Sequence, residues 1–270
     1  MQGTRRMLVS SAAVSAVALL VAGAAQAEKK YGPGVSDTEI KIGQTMPYSG
    51  PASAYGTVGL AEGAYYRMIN EQGGVNGRKV TLISLDDGYT PPKTVEQTRK
   101  LVEDDQVLAI VGALGTPTNT SIQKYLNSRK VPQIFISTGA TKWGDPEHFP
   151  WTMGWQPNYQ TEGRIYAKYV LQTQKEPKIA ILYQNDDYGK DYVAGFKAGL
   201  GDKTGLIVKD VSYELTDPTI DSQIVSLQGS GANVFFNVTT PKFTAQAIRK
   251  IHDIGWHPLH LLNNVGSSIG

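Results

Sequence analysis

Apolar positions along this chain of 270 residues fall into two alternating textures, short β-branched runs and longer stretches with helical spacing. The runs 107–111 and 131–136 are rich in Val and Ile and bounded by Gly or Pro, which predicts buried parallel strands. Between them Ile122, Tyr125 and Leu126 recur at helical spacing and predict a helix over 117–129. The same alternation predicts strands at 40–44 and 80–85. A helix follows each. The first carries Leu60, Ala64, Met68 and Ile69 on its apolar face; Pro91 and Pro92 open the second, which turns Val95, Thr98, Leu101 and Val102 inward. The glycine and asparagine turn 73–78 leads into the second strand.

The texture changes over 141–158, which holds three tryptophans and three prolines, has no helical period and includes one extended stretch at 149–153. Alternation then restarts, with helices over 159–171, 188–200, 219–227 and 241–254 and strands over 178–183, 206–213, 233–238 and 259–262. Asp217 and Pro218 fit a cap and first-turn pair for the third of these helices. Repeated strand and helix units of this kind predict two doubly wound α/β lobes in series. We expect lobe 1 over 28–142, a crossover or hinge over 143–158 and lobe 2 over 159–270. The last residues, 265–270, form a loop directly after a buried-looking strand, so a longer chain with a completed second lobe is expected.

Residues 1–27 stand outside this scheme. Arg5 and Arg6 precede an apolar run diluted by Ser and Gly, and Ala25, Gln26 and Ala27 complete an A-x-A cleavage pattern. A cleaved secretory leader and a periplasmic location are expected, with the remaining chain starting at Glu28. Losing Arg5 and Arg6 takes the formal charge from +2 to 0, which argues against a nucleic-acid partner. The absence of cysteine excludes disulfides, a thiol nucleophile and thiolate metal sites.

Catalytic patterns such as HExxH, a P-loop or a helix-opening GxGxxG are missing. His148, His252, His257 and His260 have no metal-ligand spacing. Asp86 and Asp87 close a strand without an evident lysine partner, and we expect a loop-capping role for them. Asn185, Asp186 and Asp187 are expected to cap the next helix. No cofactor, metal or catalytic residue is assigned.

What is present suits binding. Five loops at predicted strand exits, 49–55, 115–120, 137–141, 185–188 and 238–240, carry small, hydroxylated or aromatic residues and no Lys or Arg. In open parallel sheets ligands sit outside the carboxyl ends of the strands, where helix N-termini offer free N–H groups to anions. Hydroxyls and backbone N–H groups hold a carboxylate, and tyrosines add flat apolar walls.

The run QTMPYSGPASAYGTVGLAEGAYYRMINEQGGVNGRKVTLISLDDGYTPPKTVEQTRKLV, with VGALGTPTNTSIQ, FISTGAT and YQNDDYGKDYVAGFK after it, resembles the periplasmic leucine/isoleucine/valine-binding protein family, the type 1 solute receptors of ABC importers. The resemblance covers nearly everything from Ile40 onward. It implies a Venus-flytrap of two lobes on a three-strand hinge, a small-molecule carboxylate ligand, a membrane permease as partner, and no catalysis. A monomer is expected. By the same resemblance Tyr55 stands at the aromatic wall of lobe 1 and Thr116 bonds the ligand carboxylate. Gly139, Ala140 and Thr141 supply backbone and hydroxyl contacts, and Tyr188 and Thr239 face the ligand from lobe 2. Amino-acid-binding members place an acidic residue near 263–266 for the ligand ammonium, where this chain reads Asn263, Asn264, Val265. An ammonium without such a partner would cost several kcal/mol. A branched-chain amino acid and an aromatic or aliphatic acid therefore both stay open as ligand. A ligand-sensing receptor domain of the same fold and an exported α/β hydrolase stay open as rival functions.

Overall fold

The computed structural model describes residues 30–267, so the leader expected at 1–27 lies outside the described residues. Two all-parallel sheets organise the chain. The first holds β1 (Glu39–Met46), β2 (Lys79–Asp86), β3 (Ile110–Val111), β4 (Gln133–Ile136) and β5 (Thr152–Gly154) in the order β2-β1-β3-β4-β5. The second holds β6 (Ile179–Gln184), β7 (Ile207–Tyr213), β8 (Val234–Val238) and β9 (Leu259–Leu262) in the order β7-β6-β8-β9. Both belong to one compact unit, which begins at Pro33.

The helices are α1 (Gly56–Glu71), α2 (Pro91–Arg99), α3 (Thr116–Arg129), α4 (Tyr159–Thr173), α5 (Asp187–Leu200), α6 (Asp221–Gln228) and α7 (Pro241–Asp253). Helices on both faces of the second sheet explain why β8, VFFNV, is buried at every position and reads as one continuous apolar run. In each sheet the order reverses beside the first strand, between β1 and β3 and between β6 and β8. Loops leaving the strands on the two sides of such a reversal part and leave a crevice at the carboxyl ends.

Three expectations need correction. The residues expected to face inward on α1 mostly do not, because Leu60 is 65% exposed and Met68 43%. That helix instead turns Gly56 and Gly59 to the core, where a Cβ on Gly59 would sit 2.9 Å from Cγ of Met46. Glycine carries no hydropathy, so the spacing marks the helix but not its packed face. Asp217 does not start α6. Its carboxylate accepts from the Glu214 N–H at 2.9 Å and closes a turn, and the helix begins at Asp221. The extended stretch expected at 149–153 is shorter and later, and as β5 it pairs with β4 at the edge of the first sheet.

Lobe 2 is held by close approach of α4 and α5. A Cβ on Gly163 would lie 2.7 Å from both the Phe196 nitrogen and the Tyr192 carbonyl oxygen. Phe196 and Phe236 stack at 4.6 Å beneath them. Among the described residues no helix is long and apolar enough to cross a membrane.

Candidate functional site

A cavity of about 320 Å³ lies at the carboxyl ends of both sheets, where the two reversals of strand order face one another. The first turns of five helices reach its wall: Thr57 and Val58 of α1, Thr116 of α3, Tyr159 of α4, Tyr188 of α5 and Pro241 of α7. A helix N-terminus carries a partial positive charge and N–H groups without intrahelical partners; at α5 the Asp186 carboxylate takes two of these groups, and at α4 the Gly139 carbonyl takes that of Tyr159. Among the described residues the wall includes no Asp, Glu, Lys, Arg or His. Its polar atoms are those of hydroxyls, two side-chain amides and the backbone.

The hydroxyls are ordered by one another and by the fold. Thr116 and Thr138 share a hydrogen bond of 2.6 Å between their Oγ1 atoms. Tyr55 donates its hydroxyl proton to the Val265 carbonyl at 2.9 Å, a bond that crosses from the first lobe to the second. The Tyr188 hydroxyl accepts from Nδ2 of Asn263 at 2.6 Å, and the Tyr159 ring meets Tyr188 edge to face at 5.5 Å. Burial pushes the Tyr159 hydroxyl up to about 12 and those of Tyr55, Tyr89 and Tyr188 well above the ordinary tyrosine value. All four remain protonated donors at neutral pH. Leu215, from the segment after β7, packs against the Met46, Ala52, Tyr89 and Leu114 cluster of lobe 1.

Of the seven residues expected at the site, Tyr55, Thr116 and Tyr188 lie together on this wall. The other four do not. Gly139 sits behind Tyr159, its carbonyl accepting the Tyr159 N–H at 2.8 Å, and a Cβ there would meet the Tyr159 ring at 2.8 Å. Ala140 is buried in the lobe 2 core cluster. Thr141 turns outward, and its N–H and hydroxyl bond Oδ2 of Asp191 at 2.8 and 2.9 Å. Thr239 lies under the floor, with its hydroxyl 2.7 Å from both Asn237 Oδ1 and Thr244 Oγ1, while Thr240 and Pro241 take the wall. Thr138 belongs to the expected 137–141 loop and Leu114 adjoins the expected 115–120 loop, whereas Tyr89 and Tyr159 lie outside all five loops. Tyr89 follows the same strand exit as Asp86 and Asp87, and Tyr159 opens the first helix after the crossover.

The acidic groups are structural. Asp86 has a lysine partner after all: Lys93, one turn into α2, reaches its Oδ2 at 2.7 Å. The same carboxylate accepts from the N–H groups of Tyr48, Ser49 and Gly88 and from the Ser49 hydroxyl. Burial raises its pKa, but the bonds from Lys93, Ser49 and Gly88 outweigh this and hold it well below the usual carboxylate range. Asp186 caps α5 by accepting from the N–H groups of Tyr188 and Gly189. Glu162 is tied to the Tyr192 hydroxyl at 2.5 Å and the Asn264 N–H at 2.8 Å, and it does not reach the wall. His260 is half-buried beside Phe235, and this loss of water lowers its pKa; His148 pairs with Asp145. Among the described residues no group of three or more His, Asp or Glu could hold a metal. The letters G-x-S-x-G do occur at 266–270, but the serine at their centre lies outside the described residues.

A family model described as periplasmic binding protein matches residues 39–268. The chain belongs to that family. Among curated relatives of this periplasmic binding protein, "Leu/Ile/Val-binding protein homolog 3" of Brucella melitensis is 27% identical over 234 residues, covering 83% of this chain and 60% of the relative. Among solved structures, the fatty acid ABC transporter substrate-binding protein from Thermomonospora curvata superposes with a TM-score of 0.74 at 23% identity, covering 88% of this chain and 61% of that one. A solute binding protein of an ABC transporter from Rhodopseudomonas palustris BisB5, in complex with 3,4-dihydroxy benzoic acid, gives 0.71 at 19%, covering 83% and 61%. This chain thus spans about three fifths of the length of these proteins. The structural likenesses establish the fold, two parallel-sheet α/β lobes of the type 1 periplasmic binding proteins. These relatives are named for binding rather than for catalysis.

Proposed function

We propose that this protein is the extracytoplasmic receptor of an ABC importer, exported through the leader at 1–27, and that it captures a small apolar or aromatic carboxylate without a free ammonium group. One observation carries the reading: five helix N-termini meet on a cavity wall that, among the described residues, has no ionised side chain. Each helix end favours an anion by about 0.3–1 kcal/mol. An ammonium at the same place meets positive helix ends and no carboxylate on the wall, Asp186 being engaged in capping α5, a cost of several kcal/mol once it is out of water. The four tyrosine rings and Leu114, Val58 and Val265 suit an apolar ligand body.

The names of proteins with this fold support the class. One is a fatty acid receptor and another was solved with an aromatic acid. In our mechanism the carboxylate docks first on α3 and Thr116. Lobe 2 then rotates in, Tyr188 closes over the ligand, and the Tyr55 bond to Val265 joins the lobes. The closed form is selected because only there does the ligand touch both sides. A membrane permease reads that form, and the receptor works as a monomer.

A second reading, a branched-chain amino acid, is favoured by the curated relative's name. It needs a carboxylate at the ligand ammonium, and Glu162, one candidate, is bonded to Tyr192 and Asn264 instead of reaching the cavity. A thermal-shift screen separates the two. Isocaproate, which is leucine without its amino group, and benzoate should raise the unfolding midpoint by several degrees at a hundred times their dissociation constants, about 2.7 kcal/mol of stabilisation. Leucine should not. A shift with leucine and none with either acid contradicts the reading.

A further inference from the structure

The cavity wall contains one residue in a backbone conformation that its side chain disfavours. Tyr89, in the loop between β2 and α2, has φ +60, a left-handed value uncommon for any residue except glycine and worst for bulky ones. It is also 93% buried, being only 7% exposed. Strain of this kind persists where surrounding structure enforces it, and here two devices do so. The Tyr89 N–H donates to Oδ1 of Asp87 at 2.9 Å, and the fully buried Asp87 is fixed in turn by the Thr94 hydroxyl at 2.9 Å. Opposite, Gly115 at φ +99 clears space for the ring: a Cβ there would stand 2.5 Å from Cε2 and 3.0 Å from Cζ of Tyr89.

Those two ring carbons belong to the hydroxyl end of the phenol, and Gly115 is the N-cap of α3, one residue before Thr116. The phenol tip therefore lies at the N-terminus of α3. Of the other cavity tyrosines, Tyr55 donates its proton to the Val265 carbonyl, while the Tyr188 hydroxyl accepts from Asn263 and the Tyr159 hydroxyl lies toward Thr138, so both of these have a protein partner already. Among the described residues Tyr89 makes its hydrogen bond through its N–H, and its hydroxyl has no protein partner.

We infer that Tyr89 is a specificity-determining residue whose hydroxyl donates to the ligand carboxylate at the α3 N-terminus, alongside Thr116. The inference rests on the carboxylate-receptor reading above and extends it from the class of ligand to the group that reads it. Burial keeps the phenol protonated, so it remains a donor throughout the neutral range.

The test is titration calorimetry of wild type and Tyr89→Phe with isocaproate, benzoate, acetate and leucine, with thermal unfolding of both unliganded proteins. Tyr89→Phe keeps the ring, so the unliganded midpoint should not move. Affinity should fall on the order of tenfold or more, the range of hydrogen bonds to charged groups, and by the same factor for every acid that wild type binds. If wild type binds leucine alone and Tyr89→Phe weakens it, the ligand-class reading fails while the role of Tyr89 stands. If Tyr89→Phe binds any probe as tightly as wild type does, or if wild type binds none of the four probes, the inference is overturned.

Discussion

At the scale of single residues, the account rests on hydroxyls and one braced carboxylate. The Tyr55 bond to Val265 is a direct polar link across the cavity, and a neutral hydrogen bond is worth about 0.5–1.5 kcal/mol net. Tyr55→Phe should therefore weaken ligand binding between two-fold and about ten-fold in calorimetry while leaving the unliganded unfolding midpoint nearly unchanged. Asp86 acts on stability instead. Its folded pKa lies below the unfolded value, so its contribution is present above the ordinary carboxylate range and is lost as pH falls through the depressed folded value. Urea unfolding of Asp86→Asn should show a deficit of about 1 kcal/mol at neutral pH, moderated by the partial exposure of the Lys93 pair. That deficit should shrink steadily as both proteins are taken below about pH 4. A deficit that stays constant with pH would assign the loop's stability to packing rather than to charge.

At the scale of elements, the contact of α4 with α5 makes the sharpest prediction. Gly195 faces the Gln160 backbone, with no room for a Cβ. Gly195→Ala should destabilise lobe 2 by about 1–3 kcal/mol, seen as a lower unfolding midpoint, despite the higher helix propensity of alanine. An unchanged or raised midpoint would show that the helices can separate cheaply. The same feature explains what the sequence reveals and what it hides. Strands such as β6 and β8 are legible because burial on both faces writes a continuous apolar run. The packed face of α1 is not, because Gly56 and Gly59 make it through absence of side chain while Leu60 and Met68 point out. At the site, the strand-exit loops are legible as small and hydroxylated segments. Which residue in a loop faces the cavity is not, since irregular backbone has no period. A shift of one position moves the wall from Thr239 to Thr240, and Thr138 stands on the wall where Gly139 to Thr141 were expected. Tyr89 is hidden for a further reason: its aim depends on a left-handed backbone that nothing in its own letter announces.

At the scale of the whole molecule, two reversals of strand order face each other and bring five helix N-termini to one neutral cavity. Among the described residues nothing ionisable lines that cavity except tyrosines, whose hydroxyls are all pushed upward. Affinity for a carboxylate should accordingly stay flat between about pH 6 and pH 9, where the acid is ionised and the phenols are not. A titration step inside that window would place an ionisable side chain at the ligand. The central claim is that the site selects a carboxylate and rejects an ammonium, and the most direct test is a matched pair. Isothermal titration of one protein preparation with isocaproate and then with leucine changes only the amino group. The account predicts measurable binding of isocaproate and an affinity for leucine at least a hundredfold weaker, the equivalent of an unpaired ammonium costing about 3 kcal/mol or more. Tighter binding of leucine than of isocaproate would contradict it.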